Sequence, residues 1–389
     1  MENKLEDALI VAYGRSAVGK SGKKGVFRDT HPVDFGAEVL KGVLARVPEL
    51  KAEDIDDVIL GNAFPEGSQG ENIGRLVALR AELPDSVPGL TINRWCSSGL
   101  NAISLAANNI RVGEADVIVA GGLEHMSAIP FFSTVRDRNE WLKENKPGAY
   151  MPMGLTAENV AEKYGVTREM EDEFSLASHQ KAAAAIDAGK FDDEIIPLKG
   201  KDVDGNEITV TEDQGVRRNS TMEGLAGLKP VFKEDGVVTA GNASQTSDGC
   251  SFVVLMSRKK VEELGIKPIA KFVGFSVAGV DPDIMGIGPV KAVPKVMEKT
   301  GLSIDDMDVI ELNEAFASQS LAVISELNLP KEKLNPNGGA IALGHPLGAT
   351  GAILTCKAIS ELKRTGGKYG LITMCIGLGM GGAGIIEML

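Results

Sequence analysis

Two cysteines in different settings, with a histidine between them along the chain, are the residues here best suited to chemistry. Cys96 lies in Asn93-Arg94-Trp95-Cys96-Ser97-Ser98-Gly99-Leu100, directly ahead of an amphipathic stretch. It therefore falls at a helix N-terminus, where unpaired backbone N–H groups and the helix dipole favour a thiolate. Reactive thiols prefer such electropositive, partly exposed settings, and the small residues after Cys96 leave room for a substrate. A lone cysteine is more often a buried core residue, but the polar flanks weigh against that reading. Cys375 follows the apolar run 370–374, so it lies at the carboxyl end of a strand, where α/β sheets place ligands. His345 sits in Gly344-His345-Pro346-Leu347-Gly348, a turn that fits neither strand nor helix interior. A neutral imidazole can take the Cys96 proton and then hydrogen-bond an oxyanion. A nucleophilic thiol, a proton-moving thiol and an imidazole together make a site for carbon–sulfur acyl chemistry.

Two neighbouring motifs bear on that site. Gly377-Leu378-Gly379-Met380-Gly381-Gly382 satisfies G-x-G-x-x-G, yet only seven residues follow Gly382. No helix and no acidic residue can follow as a dinucleotide fingerprint requires. These glycines read instead as a turn whose N–H groups face an oxyanion. Asn313-Glu314-Ala315-Phe316 follows the strand-like residues 309–312. Asn313 can hold a water or a carbonyl, or cap a helix; the pattern leaves both open. Cys250 and Cys356 read as core. His31 precedes a helix, His125 lies in a loop and His179 in an acid-rich helix, all without a chemical role.

Short apolar runs alternate with helical patterns: 8–12 then 33–47, 58–61 then 72–81, and 97–112 then 116–120. That alternation predicts a doubly wound α/β sheet. The second half echoes the first. Residues 57–64 resemble 308–316, the helix–strand pair 97–120 matches 348–375, and the run 250–256 matches 383–388. Three matches in one order predict a duplicated domain. Residues 122–239 break the echo with helical patterns at 156–164 and 168–188, a polar segment at 199–219 and few strand signals. They read as an insertion covering the site. The expected division is 1–121 plus 240–270 for the N-terminal half, 122–239 for the insertion, and 271–389 for the C-terminal half.

The 389 residues, 43% hydrophobic, suffice for one large domain or two to three smaller ones. No run approaches the length of a membrane span. Residues 1–7 are polar and acidic and unlike a secretory signal. The final Glu387-Met388-Leu389 is not the peroxisomal tripeptide. Four cysteines without a C-x-x-C pair suggest neither a disulfide framework nor zinc, and a reduced, cytoplasmic compartment fits. The net charge of −13 argues against nucleic-acid binding, though a local basic pocket can still take a phosphorylated ligand.

Across essentially its whole length the sequence resembles the thiolases, and within them the degradative 3-ketoacyl-CoA thiolases (acetyl-CoA C-acyltransferases). The motifs that carry the resemblance are 93–100, Met153-Gly154-Leu155-Thr156-Ala157-Glu158-Asn159, Gly241-Asn242-Ala243-Ser244, 313–317, 344–348 and 375–379. The resemblance implies Cys96 as nucleophile, Cys375 as acid/base and His345 as activator, with Asn313 holding a water in one oxyanion hole. A second hole would use the backbone N–H groups of Cys96 and Gly377. Contacts to coenzyme A would fall on Arg217, Ser244, Phe316 and Met153. Acyl-CoA, 3-ketoacyl-CoA and CoA are the implied ligands, with no tightly bound cofactor and no metal. The implied fold is two similar α/β halves packed as an α-β-α-β-α sandwich with an inserted loop domain, in a homodimer or homotetramer. Two sites depart from short-chain, acetyl-CoA acetyltransferase members, and a third from the family as a whole. Pro152 stands where those enzymes usually carry His, Gln245-Thr246-Ser247 replaces their Gly-Leu-Asn, and Arg15-Ser16-Ala17-Val18-Gly19 replaces the family's Arg-Thr-Pro-x-Gly. With the apolar loop Met285-Gly286-Ile287-Gly288-Pro289, the first two favour longer 3-ketoacyl chains.

Overall fold

The computed structural model describes residues 7–129 and 137–389. Residues 1–6 of the acidic N-terminal stretch and 130–136 of the insertion lie outside the described residues. The strands are β1 (Ala8–Arg15), β2 (Gly19–Lys20), β3 (Asp57–Gly61), β4 (Gly89–Ile92), β5 (Val117–His125), β6 (Leu198–Lys201), β7 (Glu207–Val210), β8 (Ser247–Ser257), β9 (Ala270–Gly279), β10 (Val309–Leu312), β11 (Tyr369–Ile376) and β12 (Met380–Met388). The helices are α1 (Pro32–Leu44), α2 (Ile73–Arg80), α3 (Ser98–Arg111), α4 (Glu140–Asn145), α5 (Met153–Tyr164), α6 (Arg168–Asp187), α7 (Met222–Ala226), α8 (Arg258–Leu264), α9 (Gly288–Thr300), α10 (Ala317–Leu327), α11 (Ala340–Leu343) and α12 (Leu347–Thr365).

Strand order runs β4-β3-β5-β8-β1 through the first half and β9-β12-β11-β10 through the second. The β3–β4, β3–β5 and β10–β11 pairs are parallel and the rest of this path is antiparallel. Within the sheet the halves join where β1 meets β9, at Leu9↔Lys271 and Ile10↔Ala270. Period-two alternation then sets the layers. Leu9, Val58, Leu60, Val117, Val119, Phe252 and Val254 face a core with α1 and α2. Their neighbours Ile10, Ile59, Ile118, Val253 and Leu255 share a second core with α3, α12 and Ile372, Met374 and Ile376 of the other half. Ile310, Leu312, Leu371 and Ile385 face a third core with α9. The result is five layers, α-β-α-β-α. Helices α3 and α12 lie at the centre, which is why even Ser104, on the polar stripe of α3, is buried.

The three echoed stretches take equivalent places: β3 with β10, α3–β5 with α12–β11, and β8 with β12. Strand β5 runs past the expected boundary at 121, because Gly121 and Gly122 continue the ladder rather than turning. A side chain at Gly121 would strike Ser251 O at 1.9 Å. His125, expected in a loop, is the buried last residue of β5, its Nε2 on Phe27 O at 3.1 Å. The insertion holds an unexpected hairpin, β6–β7.

Arg15, in the stretch that departs from the family pattern, is wholly buried. It donates from Nη1 and Nη2 to Asp213 at 2.7 and 2.9 Å and from Nε to Glu194 at 2.7 Å. This clamp fastens the insertion to β1. Asp213→Ala leaves a buried cation half-paired, and the expected cost is about 3–5 kcal/mol of unfolding free energy. Denaturant unfolding with a wild-type midpoint would contradict that.

Candidate functional site

Cys96 sits in a 3₁₀ turn, Trp95–Ser97, that runs into α3. Trp95 is held at φ 47°, a region costly for a bulky residue. Asn93 sustains the turn: its Oδ1 accepts from Trp95 N at 2.8 Å and its Nδ2 donates to Ala63 O at 2.9 Å. Strain of this kind points one side chain out of the regular helix, here into a cavity of about 190 Å³. Cys96, His345 and Cys375 all line that cavity, with Met153, Ser244 and Phe316. Residues distant in the chain thus line one cavity.

The expectation of a partly exposed thiolate is corrected. Cys96 is only 2% exposed. Burial pushes its thiol up to about 12, partly offset by the Gly377 and Cys96 backbone N–H groups that face the sulfur. Burial and the neighbouring Cys96 hold Cys375 well above the ordinary thiol range too. Burial keeps both thiols protonated at rest, and the dipole of α3 does not outweigh that desolvation.

His345 is buried and lowered to about 4, so the imidazole is neutral. Its Nδ1 lies 2.6 Å from Thr350 Oγ1, which is also 3.1 Å from Pro346 O. With the hydroxyl proton on Pro346 O, Nδ1 is the donor and Nε2 is left as the base. Nε2 carries the lone pair, and Asn313 Nδ2 approaches it at 3.4 Å. The His345 backbone N–H is held by Ser247 Oγ at 3.2 Å.

Asn313 is fully buried, and the N-cap of α10 is Phe316, so Asn313 caps no helix. Gly377 opens the β11–β12 turn, where Leu378 and Gly379 have φ 69° and 80°. A Cβ at Gly377 would press on Met153 at 3.0 Å and Trp95 at 3.2 Å.

The outer cavity wall is knitted from two motifs. Ser244 N donates to Ala315 O at 3.0 Å and Ala317 N to Asn242 O at 2.9 Å. Phe316 packs edge-on against Phe232, with ring centroids 6.4 Å apart. Gly154 follows Met153 because a Cβ there would lie 2.3 Å from the Phe232 ring. Arg217 is exposed and does not line the cavity; it lies near Lys20, which it holds down together with burial. From the 285–289 loop only Met285 reaches the cavity, while Ile287 turns into a separate core with Val160 and Ala322. Pro152, Gln245 and Thr246 do line it. A second chamber of about 570 Å³ shares Pro152, Met153 and Met285 with the first and adds Trp95, Tyr150, Met151 and Leu378.

Sequence reasoning missed Phe232, Met126, Leu347 and Thr350. Thr350 had a signal, since a helix opening at Leu347 brings its hydroxyl back onto Pro346 beside the histidine. Phe232 had none, standing in an aperiodic stretch of the insertion. Among the described residues no cluster of three or more His, Cys, Asp or Glu is disposed to hold a metal ion.

The chain matches the model of the thiolase N-terminal domain over residues 8–259 and that of the thiolase C-terminal domain over 266–388. It belongs to the thiolase family. A 3-ketoacyl-CoA thiolase of Bacillus subtilis is 48% identical, covering 99% of this chain and 100% of the relative. Among solved structures, the Bacillus anthracis acetyl-CoA acetyltransferase superposes with a TM-score of 0.91 at 43% identity, covering 100% of both chains. Human mitochondrial 3-ketoacyl-CoA thiolase also gives 0.91, at 41% identity over 99% of this chain and 100% of that one. The five-layered α/β arrangement is the thiolase fold.

Proposed function

We propose that this thiolase cleaves 3-ketoacyl-CoA with CoA, giving acetyl-CoA and a shortened acyl-CoA, as in fatty-acid β-oxidation. The observation that carries the reading is the meeting of Cys96, His345 and Cys375 in one cavity. The acyl-enzyme is a thioester on Cys96, about as reactive as the CoA thioester it exchanges with, so the same steps run backwards as a Claisen condensation. With Cys96 neutral at rest, its proton passes to His345 Nε2 as the sulfur attacks the 3-keto carbon. The negative charge thus appears only where donors await it. The Cys96 and Gly377 N–H groups receive the oxyanion. His345 and a water on Asn313 receive the enolate oxygen as the C2–C3 bond breaks. Cys375 protonates the departing carbanion, then takes the proton of the incoming CoA thiol, whose sulfur takes the acyl group from Cys96 as the proton held on His345 returns to the Cys96 sulfur.

Ser244, Phe316 and Met153 would flank the pantetheine arm, and Arg217 the phosphate end outside the cavity. Coenzyme A enters as substrate and the cycle needs no resident cofactor or metal. Residues 122–239 act as the covering domain, between halves 1–121 plus 240–270 and 271–389. Strand β4 ends the sheet with Leu90 38% exposed, an edge suited to a homodimer or a homotetramer built from it. Among the described residues no helix is long and apolar enough to cross a membrane, compatible with a cytoplasmic setting.

The acyl tail would enter the chamber shared through Pro152, Met153 and Met285. Each buried CH₂ contributes about 0.8 kcal/mol, so kcat/KM should rise up to several-fold per added carbon until the chamber fills. Thiolysis rates with acetoacetyl-, 3-ketohexanoyl- and 3-ketooctanoyl-CoA test this. Cleavage of acetoacetyl-CoA alone would make the chain an acetyl-CoA acetyltransferase instead.

A further inference from the structure

The internal duplication identifies a residue that none of the motifs above contains. Val58 of β3 pairs with Val119 of β5, and Val309 of β10 pairs with Gly370 of β11. Because residues 57–59 echo 308–310, Val119 corresponds to Gly370. Counting on along both strands, Glu124 takes the place of Cys375. Their cross-strand partners agree, since Glu124 faces Gly249 and Cys375 faces Gly381.

Glu124 is fully buried. Its Oε2 accepts from Ala63 N at 2.8 Å and Gly348 N at 2.9 Å, and its Oε1 from Gln69 Nε2 at 2.9 Å and from Phe64 N and Asn62 Nδ2 at 3.3 Å. Gly348 lies in the first turn of α12, beside His345 and Thr350. A Cβ there would lie 2.7 Å from Ala63 N and 2.9 Å from Glu124 Oε2, so glycine is what permits the contact. A carboxylate at a helix N-terminus is favoured by the dipole and by the unpaired N–H groups. The halves are therefore reciprocal: the strand end carrying Cys375 leads to Gly377, which faces Cys96 ahead of α3. The strand end carrying Glu124 grips the start of α12.

We propose that Glu124 is a positioning residue for the acyl transfer, its carboxylate fastening the start of α12 so that His345 Nε2 meets the Cys96 thiol. This rests on the thiolase reading above. Burial raises the Glu124 carboxyl while the donors from Gln69, Ala63, Gly348 and Phe64 oppose that, and the ionised form raises the Cys96 thiol, so Glu124 bears on that residue electrostatically as well as through α12.

The test compares wild type with Glu124→Gln and Glu124→Asp in the full-length protein. A glutamine has one accepting end, so its NH₂ must confront N–H donors, whereas aspartate keeps the charge with a shorter reach. Acetylation of Cys96 by acetyl-CoA should slow roughly 10²-fold in Glu124→Gln, on the scale of small misplacements in catalytic geometry. KM for CoA should stay near wild type, since Glu124 is no part of the cavity wall. Loss of the anion should move the pH profile of iodoacetamide alkylation at Cys96 to lower pH. Aspartate should keep that profile and recover part of the rate. A folded Glu124→Gln that acetylates at the wild-type rate overturns the proposal. So does one in which fewer molecules react, but each at the wild-type rate. If the glutamine variant does not fold, Glu124→Asp and a crystal structure of the wild type decide: a carboxylate turned away from Gly348 N overturns it. Failure of the wild type to cleave any 3-ketoacyl-CoA would refute the thiolase reading, while Cys96 acetylation still reports on Glu124.

Discussion

Cys375→Ala is expected to lose thiolysis by roughly 10²-fold or more, the scale of a general acid–base contribution, while still accepting an acetyl group on Cys96. The two thiols line one cavity, and the Cys96 sulfur faces a second residue's backbone N–H, that of Gly377, besides its own. Those donors suit a site where an oxyanion forms on a carbon bonded to that sulfur. Cys375 has its own backbone N–H at its sulfur and no donor from the Gly377 turn. Burial and its thiol neighbour hold its proton tightly, as befits a group that must surrender a proton to a carbanion and recover one from a thiol. Removing it should spare the first transfer from acetyl-CoA and stop carbon–carbon bond cleavage. Near-normal thiolysis of 3-ketoacyl-CoA by the variant would sink the assignment.

His345→Ala should slow acylation of Cys96 by roughly 10²–10⁴-fold, because among the described residues that line the cavity there is no other imidazole, amine or carboxylate to deprotonate a thiol that burial keeps protonated. The pH dependence carries a sign that can be checked. The imidazole lies at about 4, below its ordinary 6.5, because burial opposes the charged form. Neutral His345 therefore remains available as base down to near that value, and the acidic limb of kcat/KM should fall near pH 4 rather than 6.5. For stability, the unfolded chain binds the extra proton first. The contribution of neutral, buried His345 is full above pH 6.5 and is lost as the pH drops towards 4. His179, also lowered to about 4, adds to the same loss. An acidic limb at pH 6.5 in kcat/KM would mean that the histidine is solvated, against the geometry.

What could be read from the sequence was local. A thiol ahead of a helical stripe, a thiol at a strand end and a histidine between glycines each announce themselves within a few residues. The echo of 57–64 in 308–316 exposed the duplication, which α3 and α12 then realise as a shared central layer. What escaped was set by distant chain. Cys96 read as partly exposed because the residues that cluster with it, Ala63, Phe64, Met126 and Leu347, come from distant stretches of the chain. The run of β5 past residue 121 was not legible, because the approach of Ser251 that demands glycine at 121 comes from a strand in another part of the sequence. The antiparallel pairing of β8 with β1 and β5 has no signature in an alternating pattern. Glu124 was invisible for the same reason: its partners at Ala63 and Gly348 belong to different halves. Thr350 was within reach, had the helix start at Leu347 been followed for one turn.

The central claim is that Cys96 carries the acyl group during turnover. Mixing the protein with acetyl-CoA and recording its intact mass, then mapping the adduct by peptide analysis, tests that claim most directly. One acetyl group per chain, on Cys96, is the expected result. An adduct confined to Cys375 would reverse the two roles, and no adduct at all would contradict covalent catalysis at this site.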